Sequence, residues 1–171
     1  METQTHGVLV DVLGVGILLL GPSGIGKSEC ALELVTRGHR MVADDVVKLE
    51  RRGERLLGRA PKRIRHYTEI RGIGLLFLPD LYGPDAVREE GAVDVVVRLE
   101  RWREGAEYER VGLERPSEAF AGIELPTMVL PVRPATSMAT LLEVVARDHR
   151  SRRRGSDAIE RLDRPPEEEE A

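Results

Sequence analysis

Gly21-Pro22-Ser23-Gly24-Ile25-Gly26-Lys27-Ser28 decides the reading of this chain. It fits G-x-x-x-x-G-K-S, the phosphate-binding P-loop pattern. Gly21, Gly24 and Gly26 allow φ values that a side chain resists, so consecutive backbone N–H groups can turn inward as an anion nest at a helix N-terminus. Lys27 is the type of residue that reaches β- and γ-phosphates, and the Ser28 hydroxyl suits Mg²⁺. The flanks agree. Apolar residues 17–20 read as a buried strand, and Ala31, Leu32, Leu34 and Val35 as the apolar face of a helix that Gly38 stops. A glycine-rich turn without function would not need that strand, loop and helix order. The expected class is therefore α/β, a P-loop nucleotide-binding domain.

Composition narrows the rest. With 171 residues the chain has length for one domain with a real core. A formal net charge of -4 gives no global basic field for nucleic acid. No stretch nears the roughly 18 apolar residues of a membrane span, and the polar start lacks a signal-peptide core. Cys30 is the only cysteine, which excludes a disulfide within the chain and fits a reducing cytoplasm.

Working outward, residues 8–13 and 17–20 read as two strands joined by Gly14-Val15-Gly16, with His6 just ahead as a surface residue near the terminus. Residues 40–43 form an apolar strand ending in Asp44-Asp45. In P-loop enzymes a carboxylate after a strand holds Mg²⁺ or takes a proton from the attacking hydroxyl. Neighbours on a strand point to opposite faces, so the two aspartates should differ, though a turn there would rotate the geometry. Residues 46–49 and 55–57 are extended around a turn, and 61–68 form a basic loop with Lys62, Arg63, Arg65 and His66. Then comes Glu69-Ile70-Arg71-Gly72-Ile73-Gly74. Glu69 could supply a second oxygen to Mg²⁺, and Arg71 could clamp a phosphoryl group with its planar fork. From spacing alone, a surface salt bridge beside a turn is the favoured reading of both.

Further on, residues 79–84 read as a loop and 93–99 as a strand, with Arg110 in a charged connector. Residues 123–132, punctuated by Pro126 and Pro131, read as an edge strand or an ordered loop. Residues 136–150 form a second long helix, ended by a cluster of arginines. Ser156 is the expected cap of a short last helix, and the domain closes at residue 162. Residues 163–171 are an acidic, disordered tail.

Taken together, His6-Gly7-Val8, the P-loop with Ser28-Glu29, Arg37-Gly38-His39-Arg40, Ala43-Asp44-Asp45 and Glu69-Ile70-Arg71-Gly72-Ile73-Gly74 resemble the catalytic domain of HPr kinase/phosphorylase, over residues 6–162. The P-loop alone fits many families, whereas E-I-R-G-x-G at this distance is far more specific. The resemblance implies a phosphoenolpyruvate carboxykinase-like fold, a central mixed sheet with flanking helices, assembled as a hexamer. It implies phosphorylation of a serine on the phosphocarrier HPr with ATP and Mg²⁺. It also implies removal of that phosphate by inorganic phosphate, giving pyrophosphate. His6, Lys27, Asp44, Asp45 and Arg110 would be catalytic, with Asp45 the base and Asp44 near the metal. Ser28 and Glu69 would bind Mg²⁺, and residues 68–77 would serve both reactions.

Three features depart from the family pattern. A preceding N-terminal domain, common in the family, does not appear before the P-loop, which suggests a short form or an excised domain. The family's P-V-x-x-G-R is here Pro131-Val132-Arg133-Pro134-Ala135-Thr136, without that glycine and arginine. A family asparagine before Phe-Arg is replaced in Asp148-His149-Arg150. A weak reverse reaction is expected, because Thr136 brings no charge, Pro134 no N–H, and Ala135 resists positive φ. Two other readings stay open on sequence alone: a small-molecule kinase on this scaffold, and a nucleotide-dependent switch without transfer activity.

Overall fold

The computed structural model describes residues 2–112 and 115–164. In chain order the elements are β1 (Glu2–His6), β2 (Val8–Val12), β3 (Val15–Leu20), α1 (Lys27–Thr36), β4 (Arg40–Ala43), β5 (Val46–Arg52), β6 (Arg55–Arg59), β7 (Tyr67–Ile70) and β8 (Gly74–Phe77). They continue as α2 (Leu78–Tyr82), β9 (Glu90–Ala92), β10 (Val95–Arg101), β11 (Ser117–Phe120), β12 (Ile123–Val132), α3 (Met138–Arg153) and α4 (Ala158–Leu162). Six strands form a mixed sheet in the order β11-β12-β10-β3-β2-β4, with β12, β10 and β3 parallel. A second, antiparallel sheet runs β1-β5-β6-β9, and β7 and β8 stand apart as a hairpin.

Both faces of the central strands are covered, which is why β3 is apolar throughout instead of alternating. Side chains alternate across the pleat. Val8, Val10, Ile17 and Leu19 meet Ala31 and Leu34 of α1 and Ala139 and Leu142 of α3. Leu9, Leu18 and Val96 face the other way, onto Val47, Leu49 and Leu56 of the second sheet. Each fully buried aliphatic side chain contributes about 1.5–3 kcal/mol, so burial holds the three layers together. The expected central mixed sheet with flanking helices is present, with both long helices on one face and a second sheet on the other.

This topology sets where a ligand can sit. The carboxyl ends of β3, β10 and β12 share one edge, the side on which open α/β sheets bind ligands. The P-loop leaves β3 there, and the segments after β10 and β12 emerge at the same edge.

Several local readings need correction. The polar start is strand β1, paired along β5 from Glu2↔Glu50 to His6↔Val46. It carries no apolar alternation because it is a largely exposed edge strand. Residues 79–84 are not all loop: α2 starts at Leu78, with Pro79 in the first turn, where proline is tolerated. Helix α3 begins two residues later than expected, because the Ser137 hydroxyl accepts from Thr140 N at 3.2 Å and caps it. Asp157, not Ser156, caps α4, accepting from Ile159 N at 2.9 Å. Strand β12 changes partner midway, pairing with β11 up to Pro126 and with β10 from Thr127, so each half bonds on one side only and tolerates its proline. Ala135 adopts φ 65 despite its side chain. A single left-handed residue costs roughly 1–2 kcal/mol, which the surrounding turn absorbs. The expected acidic tail lies, from residue 165 on, outside the described residues.

Candidate active site

The P-loop takes the form its glycines predict: φ is 150 at Gly21, 79 at Gly24 and 104 at Gly26. A Cβ at Gly21 would also stand 2.6 Å from the Leu99 carbonyl oxygen, so β10 presses on the loop's first residue. Helix α1 starts directly at Lys27, and its N-terminus faces a cleft of about 840 Å³. The Lys27 ammonium donates to the carbonyls of Gly21 at 2.8 Å and Pro22 at 3.0 Å. One of its three N–H groups is left for a further acceptor.

Asp44 and Asp45 follow β4 in a tight turn. Val46 N donates to Asp44 O at 2.9 Å, and Asp45 sits between them at φ 69. That left-handed residue breaks the strand alternation and divides the two acids. The Asp44 side chain is buried. Its Oδ1 accepts from Ser28 Oγ at 2.8 Å and from Asp45 N at 2.9 Å, and its Oδ2 accepts a short bond from the Thr68 hydroxyl. Burial pushes its carboxyl above the ordinary range. The three hydrogen bonds oppose that shift, and the neighbouring Asp45 charge adds to it. Asp45 is exposed, with Oδ1 3.8 Å from His6 Nδ1. Two contacts bring this pair together: the β1–β5 register sets His6 opposite Val46, and Gly7 N donates to Asp45 O at 3.0 Å.

The hairpin β7–β8 forms the opposite wall. Tyr67↔Phe77 and Glu69↔Leu75 lie opposite each other and so share one face, while Thr68 and Ile70 turn inward and are buried. Glu69 and Arg71 are exposed and line the cleft. Arg71 Nη1 lies 3.7 Å from the point where a Gly24 side chain would begin, so its guanidinium reaches across to the P-loop.

Of the residues singled out from sequence, His6, Lys27, Ser28, Asp44, Asp45, Glu69 and Arg71 line this one cleft. Arg110 does not. It is exposed on the connector after β10, at the same sheet edge but outside the cleft lining. Thr68 and Arg63 are residues to which sequence assigns no role of their own. Thr68 is detectable only as a polar side chain at an inward position of a strand, and Arg63 only as one charge among several in a basic loop. The oxygen donors of Ser28, Asp44 and Glu69 are of the hard type that suits Mg²⁺. The nest, Lys27 and Arg71 suit phosphates, and the exposed acid at the mouth can accept a proton.

The HPr Serine kinase C-terminal domain family matches residues 1–165. HPr kinase/phosphorylase of Caldanaerobacter subterraneus subsp. tengcongensis is 51% identical over 164 residues, 95% of this chain and 54% of that protein. The Geobacter sulfurreducens protein of the same name is 49% identical over 148 residues, 86% of this chain and 46% of its own. The chain thus spans about half the length of the curated relatives it matches. Among solved structures, the Hpr(Ser) kinase/phosphatase from Coxiella burnetii superposes with a TM-score of 0.83 at 30% identity, covering 95% of this chain and 99% of that one. With a P-loop, a buried acid on its serine and a second acid at the cleft mouth, the chain belongs to the HPr serine kinase C-terminal domain family, a kinase family and hence a nucleotide-using one.

Proposed function

We propose that this chain transfers the γ-phosphoryl group of ATP to a serine of an HPr-type phosphocarrier, in the cytoplasm and as a homo-oligomer, a hexamer by resemblance. The observation that carries the reading is the division of labour between the two aspartates. Asp44 is bonded to the P-loop serine inside the cleft, while Asp45 faces the mouth beside His6. Phosphoryl transfer asks the protein mainly for positioning and charge. The loop N–H groups and Lys27 hold the phosphates, and Arg71 steadies the transferring group from the hairpin side. Bound Mg²⁺ supplies charge neutralisation at the phosphate oxygens, with Ser28 and Glu69 to hold it and Asp44 to orient Ser28. Asp45 accepts the seryl proton and His6 keeps that carboxylate turned to the acceptor. Arg110 is assigned to the developing charge by family resemblance alone.

The reverse reaction, attack of inorganic phosphate on phosphoserine to give pyrophosphate, uses the same centre, with Asp45 returning the proton. The test is γ-labelled ATP with Mg²⁺ and recombinant HPr, followed by mapping of the labelled residue. Label on an HPr serine is expected. A folded, ATP-binding protein that leaves HPr unlabelled refutes the reading.

A further inference from the structure

Trp102, the only tryptophan of the chain, stands directly after β10, and its N–H donates to Val132 O at the end of β12 at 3.3 Å. Its ring is a fixed post at the carboxyl edge of the sheet, and two other segments rest on it. The Tyr108 ring stacks on it at 4.8 Å between centroids and 25° between planes. The Arg133 guanidinium carbon lies 3.3 Å from its centre. The indole thus joins the connector after β10, through Tyr108, to the turn after β12, through Arg133. The connector is pinned again on either side of Arg110. Before it, the Tyr108 hydroxyl accepts from Arg103 N at 3.1 Å and closes the loop between them. After it, Glu109 Oε1 accepts from Val111 N at 2.9 Å and Gly112 N at 2.8 Å. No residue from 101 to 112 is buried, so the connector takes its place from these surface contacts and not from the core.

We infer that Trp102, Tyr108 and Arg133 are positioning residues for phosphoryl transfer: their clasp sets where Arg110 stands at the carboxyl edge of the sheet. The inference rests on the role proposed for Arg110. A guanidinium that steadies developing charge works only from a defined place, and a misplacement of about 1 Å can cost roughly 10²-fold in rate. Ordering an exposed connector has an entropic cost, which contacts must offset if the arginine is to be held ready. Stacking of two aromatic rings and a cation over an indole supply such contacts at a surface, where burial cannot. Tyr108 is two residues from Arg110, so whatever fixes its ring fixes the backbone that carries the guanidinium.

The experiment is single-turnover transfer from γ-labelled ATP to recombinant HPr, with enzyme in excess so that slow variants are measurable. The variants are Trp102→Leu, Tyr108→Leu, Tyr108→Phe, Arg110→Ala and the double Trp102→Leu/Arg110→Ala. Trp102→Leu removes the aromatic pair and the cation contact together and should lower the rate roughly tenfold. Its affinity for ATP should stay within about twofold of wild type. Tyr108→Leu should be slowed several-fold, whereas Tyr108→Phe keeps the ring and should stay near the wild-type rate. In the Arg110→Ala background, Trp102→Leu should change the rate by less than about twofold, since no guanidinium remains to be placed. A cluster that only holds the edge together would lower Tm and cost the same in both backgrounds. Trp102 emission reads the clasp directly and should shift in Tyr108→Leu but not in Tyr108→Phe. An unshifted emission in Tyr108→Leu, an unchanged rate in folded Trp102→Leu, or a tenfold loss repeated in the Arg110→Ala background overturns the clasp and leaves the kinase reading standing. Full activity of Arg110→Ala overturns the role proposed for that arginine, and the clasp with it. Absence of transfer by the wild type overturns the kinase reading itself and everything resting on it.

Discussion

Replacing Asp44 by asparagine should remove the activity and leave the fold as stable as before or more so. In the wild type, Oδ1 accepts from Ser28 and Asp45 N, and Oδ2 accepts from Thr68. Asparagine keeps the first two bonds through its carbonyl, and its amide can donate to the Thr68 oxygen. Alanine keeps none, and the Thr68 hydroxyl, on a buried residue, loses its acceptor. One orphaned buried group costs about 1–3 kcal/mol, and at this chain length each kcal/mol moves Tm by roughly 2–4 °C. Asp44→Ala should therefore melt about 2–12 °C below Asp44→Asn. The pH dependence has a definite sign. Burial raises the native carboxyl above its unfolded value, so the folded state holds the proton more tightly. That contribution is fully present below about pH 3.9 and is lost as pH rises through the native value. The advantage of Asp44→Asn over wild type is thus largest near pH 8 and closes as pH falls towards about 4. Calorimetric scans of the three proteins without nucleotide across this range measure it. Equal destabilisation by asparagine and alanine, or a wild-type difference that ignores pH, would refute the reasoning.

Lys27→Ala should lower transfer by about 10²–10³-fold with Tm nearly unchanged, because its ammonium bonds only to carbonyls of its own loop; near-normal turnover would remove Lys27 from the centre. Asp45→Asn should cost about 10²–10⁴-fold in single-turnover phosphorylation while leaving ATP affinity intact, and equal small losses from Asp44→Asn and Asp45→Asn would end the case for a divided pair. Pyrophosphate formation from phosphoserine-HPr should be slower than the kinase reaction in the same preparation. Arg133, a nearby cation that could replace the family arginine, has its guanidinium carbon 3.3 Å from the centre of the Trp102 ring, and a reverse rate matching the forward rate would falsify that expectation. Gly7→Ala should lower both Tm and kcat, since a Cβ there would stand 2.7 Å from the Leu19 carbonyl oxygen and displace the Gly7–Asp45 bond; such overpacking costs typically about 1–3 kcal/mol, and a variant with wild-type Tm would contradict the close packing.

What could be read directly from sequence was local. The P-loop, β3 and α1 announce themselves through contiguous residues whose backbone demands are met on the spot. Gly38 stops α1 where expected, at φ 92. Strand β1 escaped notice because its pairing with β5 is non-local and its exposed faces carry no apolar signal. From the residues alone His6 is a surface histidine near the terminus and only the family resemblance gives it a role; the β1–β5 register sets it across from the turn at Asp45. The unequal aspartates follow from one left-handed residue that strand alternation does not foresee. Ala135 likewise adopts a conformation its side chain disfavours, because the turn after β12 imposes it. Thr68 needed the hairpin's inward face to be known before its hydroxyl could be connected to Asp44.

The hairpin β7–β8 has a consequence for how tightly nucleotide is held. It is a two-stranded sheet, and such ribbons are marginal when unsupported. Its inner face is anchored by Thr68 and Ile70, while Ile73 and Leu75 project into solvent. The six-stranded sheet below opens only with the whole molecule, whereas this ribbon can fray as a separate cooperative unit. Its amides should exchange with solvent deuterium sooner than those of β3 and β10. On the proposed reading Glu69 and Arg71 ride on it, so part of the intrinsic binding energy of a nucleotide would be spent on ordering the ribbon. Measured affinity then reports the difference between the two, and a substitution that stiffens β7–β8 tightens nucleotide binding without touching a phosphate contact.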